Sequence, residues 1–298
     1  MADSSYLSTV STEDAASFGF TRDEMYTGNL AGTVNPYDRH LFLRHKSYTD
    51  WASRVEEDGL PNLLSSALKS RKNDIPFKTL LTVVDGAESD GDVLIFPEMI
   101  KYKGLTDSDV DGFVEDVLVN VKAWTSGPQE TLSGSYIFVC AHGNRDKRCG
   151  VCGPALIQKL NEEIELRGLK DQVFVSACSH IGGHKYAGNL IIFSPDSEGK
   201  ITGNWYGYVT PDDVPELLEQ QIAKGEIIER LWRGQMGAST KKANRSFRVK
   251  LKLRKTRMKK LLLRTQRKML VVVVNCQGAN IFTCCMTASS KPSDEKRS

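Results

Sequence analysis

Two cysteines and two histidines, all close to glycines, are the residues of this chain best suited to chemistry. Cys140 and Cys149 lie nine positions apart, and His180 and His184 follow within the same 45 residues. Thiolates and imidazoles together suit a soft cation such as zinc, or an iron–sulfur cluster. The Gly182-Gly183 step between the histidines disfavours a helix, so a zinc helix with histidines at i and i+4 is not expected.

The elements around these residues occur twice along the chain. Alternating and buried-type apolar runs predict strands, and helical spacing with capping residues predicts helices. The predicted strands are 38–44, 77–84, 92–96, 99–104, 135–140, 172–176, 189–193 and 201–209, and the predicted helices are 51–72, 107–122, 154–167 and 211–224. This order predicts an α/β fold of two thioredoxin-like halves, each a mixed sheet with helices, forming a pseudo-duplicated unit with flexible termini.

The two halves differ in their ligands. Aligning Phe96 with Phe193 places His180 opposite Val83, and Cys140 falls opposite Arg44, so the first half lacks soft ligands. We expect that half to be a structural partner. The predicted divisions are a disordered N-terminal segment (1–35), a half without ligands (36–128), a half with the cluster site (129–237) and a basic, Cys-containing flexible tail (238–298).

Charge separates the tail from the rest. Residues 241–298 contain 17 of the 40 Lys and Arg residues but only 2 of the 37 Asp and Glu residues. The first 25 residues are too acidic for a signal or transit peptide, and seven cysteines without such a signal indicate reduced thiols or metal ligands rather than disulfides. We therefore expect a cytoplasmic or nuclear protein. Residues 269–288 include Asn275, Gln277, Gly278 and Asn280, and their uninterrupted apolar run is only 269–274, so we do not expect a transmembrane span.

The residues around the four ligands form two blocks. They are Arg145-Asp-Lys-Arg-Cys149-Gly-Val-Cys152-Gly-Pro154 and His180-Ile-Gly-Gly-His184-Lys185-Tyr-Ala-Gly-Asn189. On these blocks the chain closely resembles the sucrase/ferredoxin-like family over residues 37–237; fungal members of that family carry a thioredoxin-like ferredoxin domain.

The resemblance implies a 2Fe–2S cluster held by Cys140, Cys149, His180 and His184. It implies one-electron transfer or redox sensing with an unidentified redox partner protein, rather than turnover of a substrate. Centres with two histidine ligands have potentials of about −150 to +300 mV, against about −400 mV for plant-type ferredoxins. A ligating imidazole can also lose its second proton, so we expect electron and proton uptake to be linked.

Four further residues of the two blocks are candidate accessory groups. Arg145, Arg148 and Lys185 would either favour the reduced cluster or dock an anionic partner, or they are solvated surface charges. Cys152 belongs to a second hypothesis, in which Cys149-Gly-Val-Cys152 is a thiol–disulfide oxidoreductase motif with Cys149 as nucleophile. That hypothesis leaves both histidines unexplained.

Two other functions were weighed against the cluster. A structural zinc site would use the same four ligands. A glycosidase, suggested by the family name, needs two positioned carboxylates, and the acids here lie in helix first turns, where helix dipoles account for them.

The tail carries its own candidate chemistry. Its basic stretch could bind nucleic acid or an anionic membrane. Cys276, Cys284 and Cys285 resemble a Cys-rich C-terminal block of plant members of the family, and accessory thiols on a flexible arm are the simpler interpretation.

Overall fold

A ten-stranded mixed sheet carries the fold. The computed structural model of the chain describes residues 16–196 and 198–237, so the predicted basic tail and its three cysteines lie outside the described residues. The strands are β1 (Arg39–Arg44), β2 (Thr79–Val84), β3 (Val93–Phe96), β4 (Ile100–Tyr102), β5 (Gln129–Thr131), β6 (Ser135–Cys140), β7 (Val173–Cys178), β8 (Leu190–Pro195), β9 (Ile201–Tyr206) and β10 (Trp232–Gln235). Every residue of β3 and β6 is buried, as expected for strands covered on both faces.

Helices connect the strands in the same way in both halves. Each half has a long helix after its first strand and a mixed helix after its fourth. They are α1 (Gly59–Ser70), α2 (Val110–Phe113, continued as a π-helix over Val114–Val119), α3 (Lys147–Leu166) and α4 (Val214–Glu216, continued as a π-helix over Leu217–Ile222). In the part of the chain that the structure describes, no helix combines the length and the apolar character that crossing a bilayer requires.

The strand order confirms the predicted duplication. Across the sheet the order is β10-β9-β8-β6-β7-β2-β1-β3-β4-β5. In each half the first two strands are parallel and the third pairs antiparallel with the first. The halves meet where β2 and β7 run antiparallel, at Val84 and Cys178. The fold is therefore α/β, with two thioredoxin-like halves related by a pseudo-twofold axis.

The helix starts repeat as well. Thr106 and Asp109 form a capping box before α2, and Thr210 and Asp213 form the same box before α4. In each box a threonine and an aspartate satisfy backbone N–H groups that the first helical turn leaves free. The same Thr–Asp capping box at equivalent positions in the two halves supports their descent from one unit.

One part of the predicted alignment is wrong. β2 ends at Val84 and β7 at Cys178, and the segment leading to the next strand is three residues longer in the second half. An alignment counted back from β8 therefore assigns the wrong first-half equivalents to residues that precede these three extra residues. His180, two residues beyond β7, corresponds to Gly86 rather than to Val83. The first half still offers no soft ligand at this position.

The predicted helix 154–167 begins seven residues earlier, at Lys147. The Asp146 side chain caps it by accepting a hydrogen bond from the Arg148 N–H. Pro154, predicted near the first turn, lies inside the helix, and Cys149, predicted to close a loop, lies within it. A cap and close packing against the sheet outweigh the low helix propensity of the Gly and Pro residues here.

Part of the N-terminal segment predicted to be disordered packs on the second half. Arg22, Met25 and Leu30 are buried. The Arg22 guanidinium donates to the carbonyl of Ala187 at 2.9 Å and to Cys152 Sγ at 3.2 Å. Residues 16–35 thus belong to the folded unit, which differs from the prediction for segment 1–35.

Candidate metal centre

Three of the four predicted ligands converge in the structure. Cys140 is the last residue of β6, Cys149 lies in the first turn of α3, and His180 follows β7. Their ligand atoms all lie within 4.8 Å of one another. Both cysteines are buried, and His180 is partly buried. Two thiols and one imidazole at this spacing can bind a soft cation.

Close packing of α3 against β6 brings the two cysteines together. A Cβ at Gly153 would lie 2.5 Å from the Cys140 carbonyl oxygen and 2.6 Å from the Ala141 Cα atom, both too close for any side chain. A Cβ at Gly150 would lie 2.6 Å from the Gly143 Cα atom. Glycine at both helix positions lets the backbone of α3 approach the strand end.

The position of His180 follows from strand pairing. β6 and β7 are parallel, and Cys140 pairs with Cys178 at their ends. His180 lies two residues beyond Cys178 and so reaches the edge where Cys140 stands. The next residue, Ile181, also directs its backbone N–H to the Cys140 sulfur.

The loop after His180 depends on two glycines. Gly182 and Gly183 have φ angles of 82° and 70°, in the left-handed region that glycine tolerates without strain. His184 then begins a short 3₁₀ turn and is exposed. Its ring stacks near that of His180, with centroids 5.6 Å apart. His184 is therefore beside the site but outside the group of three converging ligands.

Hydrogen bonding shifts the pKa values of the two thiols in opposite directions. Bonds from Cys149 and then from His180 hold the pKa of Cys140 well below its usual range, although burial opposes this. The same bond and burial raise the pKa of Cys149 well above its usual range. Of the two thiols, Cys140 is therefore the one that gives up its proton more readily. His180 Nδ1 is buried and has no hydrogen-bond partner in the described structure.

The other two described cysteines do not join this group. Cys178 is completely buried, and burial raises its pKa well above the ordinary value. Burial also raises the pKa of Cys152, and the nearby Arg22 only partly offsets this effect. Both residues are fully buried, so neither has the accessibility of a reactive thiol.

The predicted accessory cations lie at the surface of the site. Arg145 and Lys185 are exposed. Arg148 is half-buried and pairs with Asp146 at 3.0 Å, an interaction that raises the pKa of Arg148. Arg148 is thus already paired with Asp146, the residue that caps α3.

Sequence reasoning missed one buried cation beside the histidine loop. Arg233, in β10, donates to the Gly182 carbonyl at 3.3 Å and to Asn189 Oδ1 at 2.8 Å. Asn189 in turn donates to the Gly183 carbonyl at 2.8 Å. Asn189 ends the block that begins at His180, but Arg233 lies 44 residues further along the chain, where no sequence motif marks it as part of the site.

A family model named sucrase/ferredoxin-like matches residues 30–234, more than two thirds of the 298 residues. The chain belongs to this family. Relatives similar to this chain include altered inheritance of mitochondria protein 32 of Debaryomyces hansenii, 39% identical over 108 residues (36% of this chain and 38% of that protein). Actin patches distal protein 1 of Saccharomyces cerevisiae is 31% identical over 193 residues (59% of this chain and 58% of that protein).

The match to these relatives is partial. The chain spans less than two thirds of the length of either relative. Among solved structures, the thioredoxin-like [2Fe-2S] ferredoxin from Aquifex aeolicus is 22% identical, with 34% of this chain and 98% of that chain covered and a TM-score of 0.28.

Proposed function

We propose that this sucrase/ferredoxin-like protein holds a 2Fe–2S cluster and serves in one-electron transfer or redox sensing. Cys140, Cys149, His180 and His184 are the proposed ligands. The convergence of two buried cysteines and His180 within 4.8 Å supports the proposal most directly.

The donor atoms fit a metal group on two further grounds. His180 Nδ1 is buried without a hydrogen-bond partner in the described residues, a costly arrangement that a metal ligand bond would relieve. The pKa of Cys140 is lowered and that of Cys149 is raised, so Cys149 is the thiol that holds its proton more strongly. Ligation needs both sulfurs as thiolates, so we expect loading of the site to release the Cys149 proton.

The chain's residues would set the potential and the proton coupling. A 2Fe–2S group supplies one-electron redox chemistry when bound. Neutral imidazoles at His180 and His184 in place of thiolates make the site less negative and therefore easier to reduce. His184 is exposed, so the ring nitrogen that does not bind metal can exchange its proton with water.

Thiol–disulfide exchange through Cys149 and Cys152 is the less favoured function. Both sulfurs are buried and both pKa values are raised, which disfavours the thiolate that would attack. A structural zinc ion would fit the three converging ligands equally well. Zinc is colourless, whereas a 2Fe–2S group absorbs visible light.

Iron, acid-labile sulfide, zinc and the visible spectrum of the anaerobically purified full chain test this proposal. We expect wild type and Cys152→Ser to be red-brown with matching iron and sulfide, and Cys149→Ser to lose both. Cys152 is the matched control, because it lies on the same helix three residues after Cys149. A colourless wild type with zinc, or equal loss in both variants, would contradict the proposal.

A further inference from the structure

A cleft lies against the loop that carries both histidines. It has a volume of about 410 Å³ and is lined by ten residues, including Lys78, Leu80, Ile181, Gly182, Trp205 and Arg233. Leu80 comes from β2 and Trp205 from β9, so strands of both halves form its walls. Its lining combines apolar side chains with two cations.

Arg233 is a buried charge without an acidic partner among the described residues. It is only 3% exposed. Its hydrogen bonds reach neutral acceptors, the Thr33 hydroxyl, the Gly182 carbonyl and the Asn189 amide oxygen. Burial lowers the pKa of Arg233 to about 10, so it remains a cation at neutral pH.

The two other arginines buried in the described structure have acidic partners. Arg22 lies 3.4 Å from Glu24, and Arg39 Nε donates to Glu98 at 2.7 Å. The rings of Tyr186 and Trp205, whose centroids lie 4.8 and 5.8 Å from the Arg233 guanidinium carbon, offset part of the cost of burying this charge. Neither ring is an anion, so Arg233 is the buried arginine that lacks a counter-ion among the described residues. Its bonds to neutral acceptors use Nε and Nη1, and Nη2 is the nitrogen closest to Gly183.

We propose that this cleft binds a small organic anion, a carboxylate with a flat apolar body, through Arg233 and Lys78. Nε and Nη1 of Arg233 are already hydrogen-bonded, so Nη2 is the nitrogen that can donate a charge-assisted hydrogen bond to a carboxylate oxygen. Lys78 is exposed at the cleft and adds a second positive charge. Leu80, Ile181 and Trp205 supply apolar surface for the body of the ligand.

Binding would also act on the histidine loop. Gly182 and Gly183 line the cleft and separate His180 from His184. An anion placed there makes addition of an electron nearby less favourable, so it should lower the midpoint potential. By linkage, reduction should then weaken anion binding by the same factor. This second effect rests on the proposed cluster, whereas binding itself does not.

Calorimetry on the full chain tests binding, with benzoate as the probe. Benzamide is its neutral isostere, and inorganic phosphate tests for a general anion site. We expect benzoate to bind about tenfold or more tightly than either, because charge-assisted bonds and apolar contact are both required. Absence of benzoate binding, or equal binding of benzamide or phosphate, would overturn the proposal.

Variants locate the binding. Arg233→Lys keeps the charge but loses the Nη2 donor, so benzoate affinity should fall about tenfold to hundredfold. Lys78→Gln should weaken binding severalfold, and because Lys78 is exposed this variant does not depend on rebuilding a buried site. Lys122→Gln, an exposed lysine outside the cleft lining, is the control and should bind as wild type does. Equal affinities for Lys78→Gln and Lys122→Gln would count against the cleft.

The potential separates this inference from the proposed function. With the cluster present, benzoate at a concentration just sufficient to saturate wild type should lower the midpoint potential of wild type and change that of Arg233→Lys much less. Benzoate binding by a protein that lacks iron would sink the proposed function and keep the anion site. A protein with a normal cluster but no benzoate binding would overturn the anion site and keep the proposed function.

Discussion

Replacement of Gly153 by alanine should separate α3 from β6 and so disturb the two cysteines. The new Cβ would lie 2.5 to 2.7 Å from Cys140 O and from two carbon atoms of Ala141. Carbon atoms pack at about 3.5–4.0 Å, so the helix would have to retreat by roughly 1 Å. Cys149 lies one turn earlier on this helix and would move away from Cys140. Such overpacking costs about 1–3 kcal/mol of unfolding free energy.

Gly112→Ala is the matched control for this prediction. Gly112 is also helical, is exposed, and has nothing within 4 Å of an added Cβ. Alanine there should stabilise the protein by about 0.5–1 kcal/mol, because glycine lowers helix stability by that amount.

Thermal unfolding by circular dichroism and iron analysis provide the assay. One kcal/mol corresponds to roughly 2–4 °C for a unit of this size. We expect Gly153→Ala to lower the Tm by roughly 2–12 °C and to bind less iron, whereas Gly112→Ala raises the Tm slightly and keeps its iron. Wild-type stability and iron content in Gly153→Ala would refute the argument that glycine is needed for this close approach.

Three other predictions concern the proton, the second thiol and the helix caps. The midpoint potential should fall as pH rises, because the reduced site holds its proton more tightly than the oxidised site does. For one proton per electron the slope is up to about 59 mV per pH unit. A potential that stays constant from about pH 6 to 10 would argue against histidine ligation. Iodoacetamide should label Cys152 in native, cluster-free protein more slowly than in denatured protein near neutral pH, because burial raises its pKa and depletes the thiolate; equal rates would contradict this. Thr106→Ala and Thr210→Ala should each lose about 0.5–2 kcal/mol of stability in urea titrations, since each removes one capping box; an effect in only one half would indicate that the two caps are not equivalent.

The duplicated α/β fold was predictable because its strands are strongly apolar. β3 and β8 carry similar runs ending near a proline, and the acidic helix starts at Thr106 and Thr210 each lie four residues after the end of the following strand, β4 or β9. Two short strands were missed. β5 is polar and exposed, and β10 contains Arg233 and a glycine, so neither shows the alternation that marks a strand.

Features that depend on tertiary contacts were not predicted from the sequence. Helix α1 begins at Gly59 rather than at residue 51, with Pro61 in its first turn, where no N–H bond is lost. The burial of Arg22 depends on Ala187 and Cys152, more than 100 residues away.

The candidate site was only partly derivable from the sequence. The convergence of Cys140 and His180 follows from their positions after parallel strands. The position of Cys149 depends on the early start of α3, which the glycine and proline residues concealed.

Nitrogen hyperfine coupling to the reduced cluster tests the central claim most directly. Electron paramagnetic spectra with pulsed detection should show coupling from histidine nitrogen in the wild-type protein. A His180→Cys/His184→Cys variant should keep a paramagnetic cluster, lose that coupling and have a lower midpoint potential, because two thiolates replace two neutral imidazoles. A wild-type cluster without histidine nitrogen coupling, or coupling that persists in the double variant, would contradict ligation by Cys140, Cys149, His180 and His184.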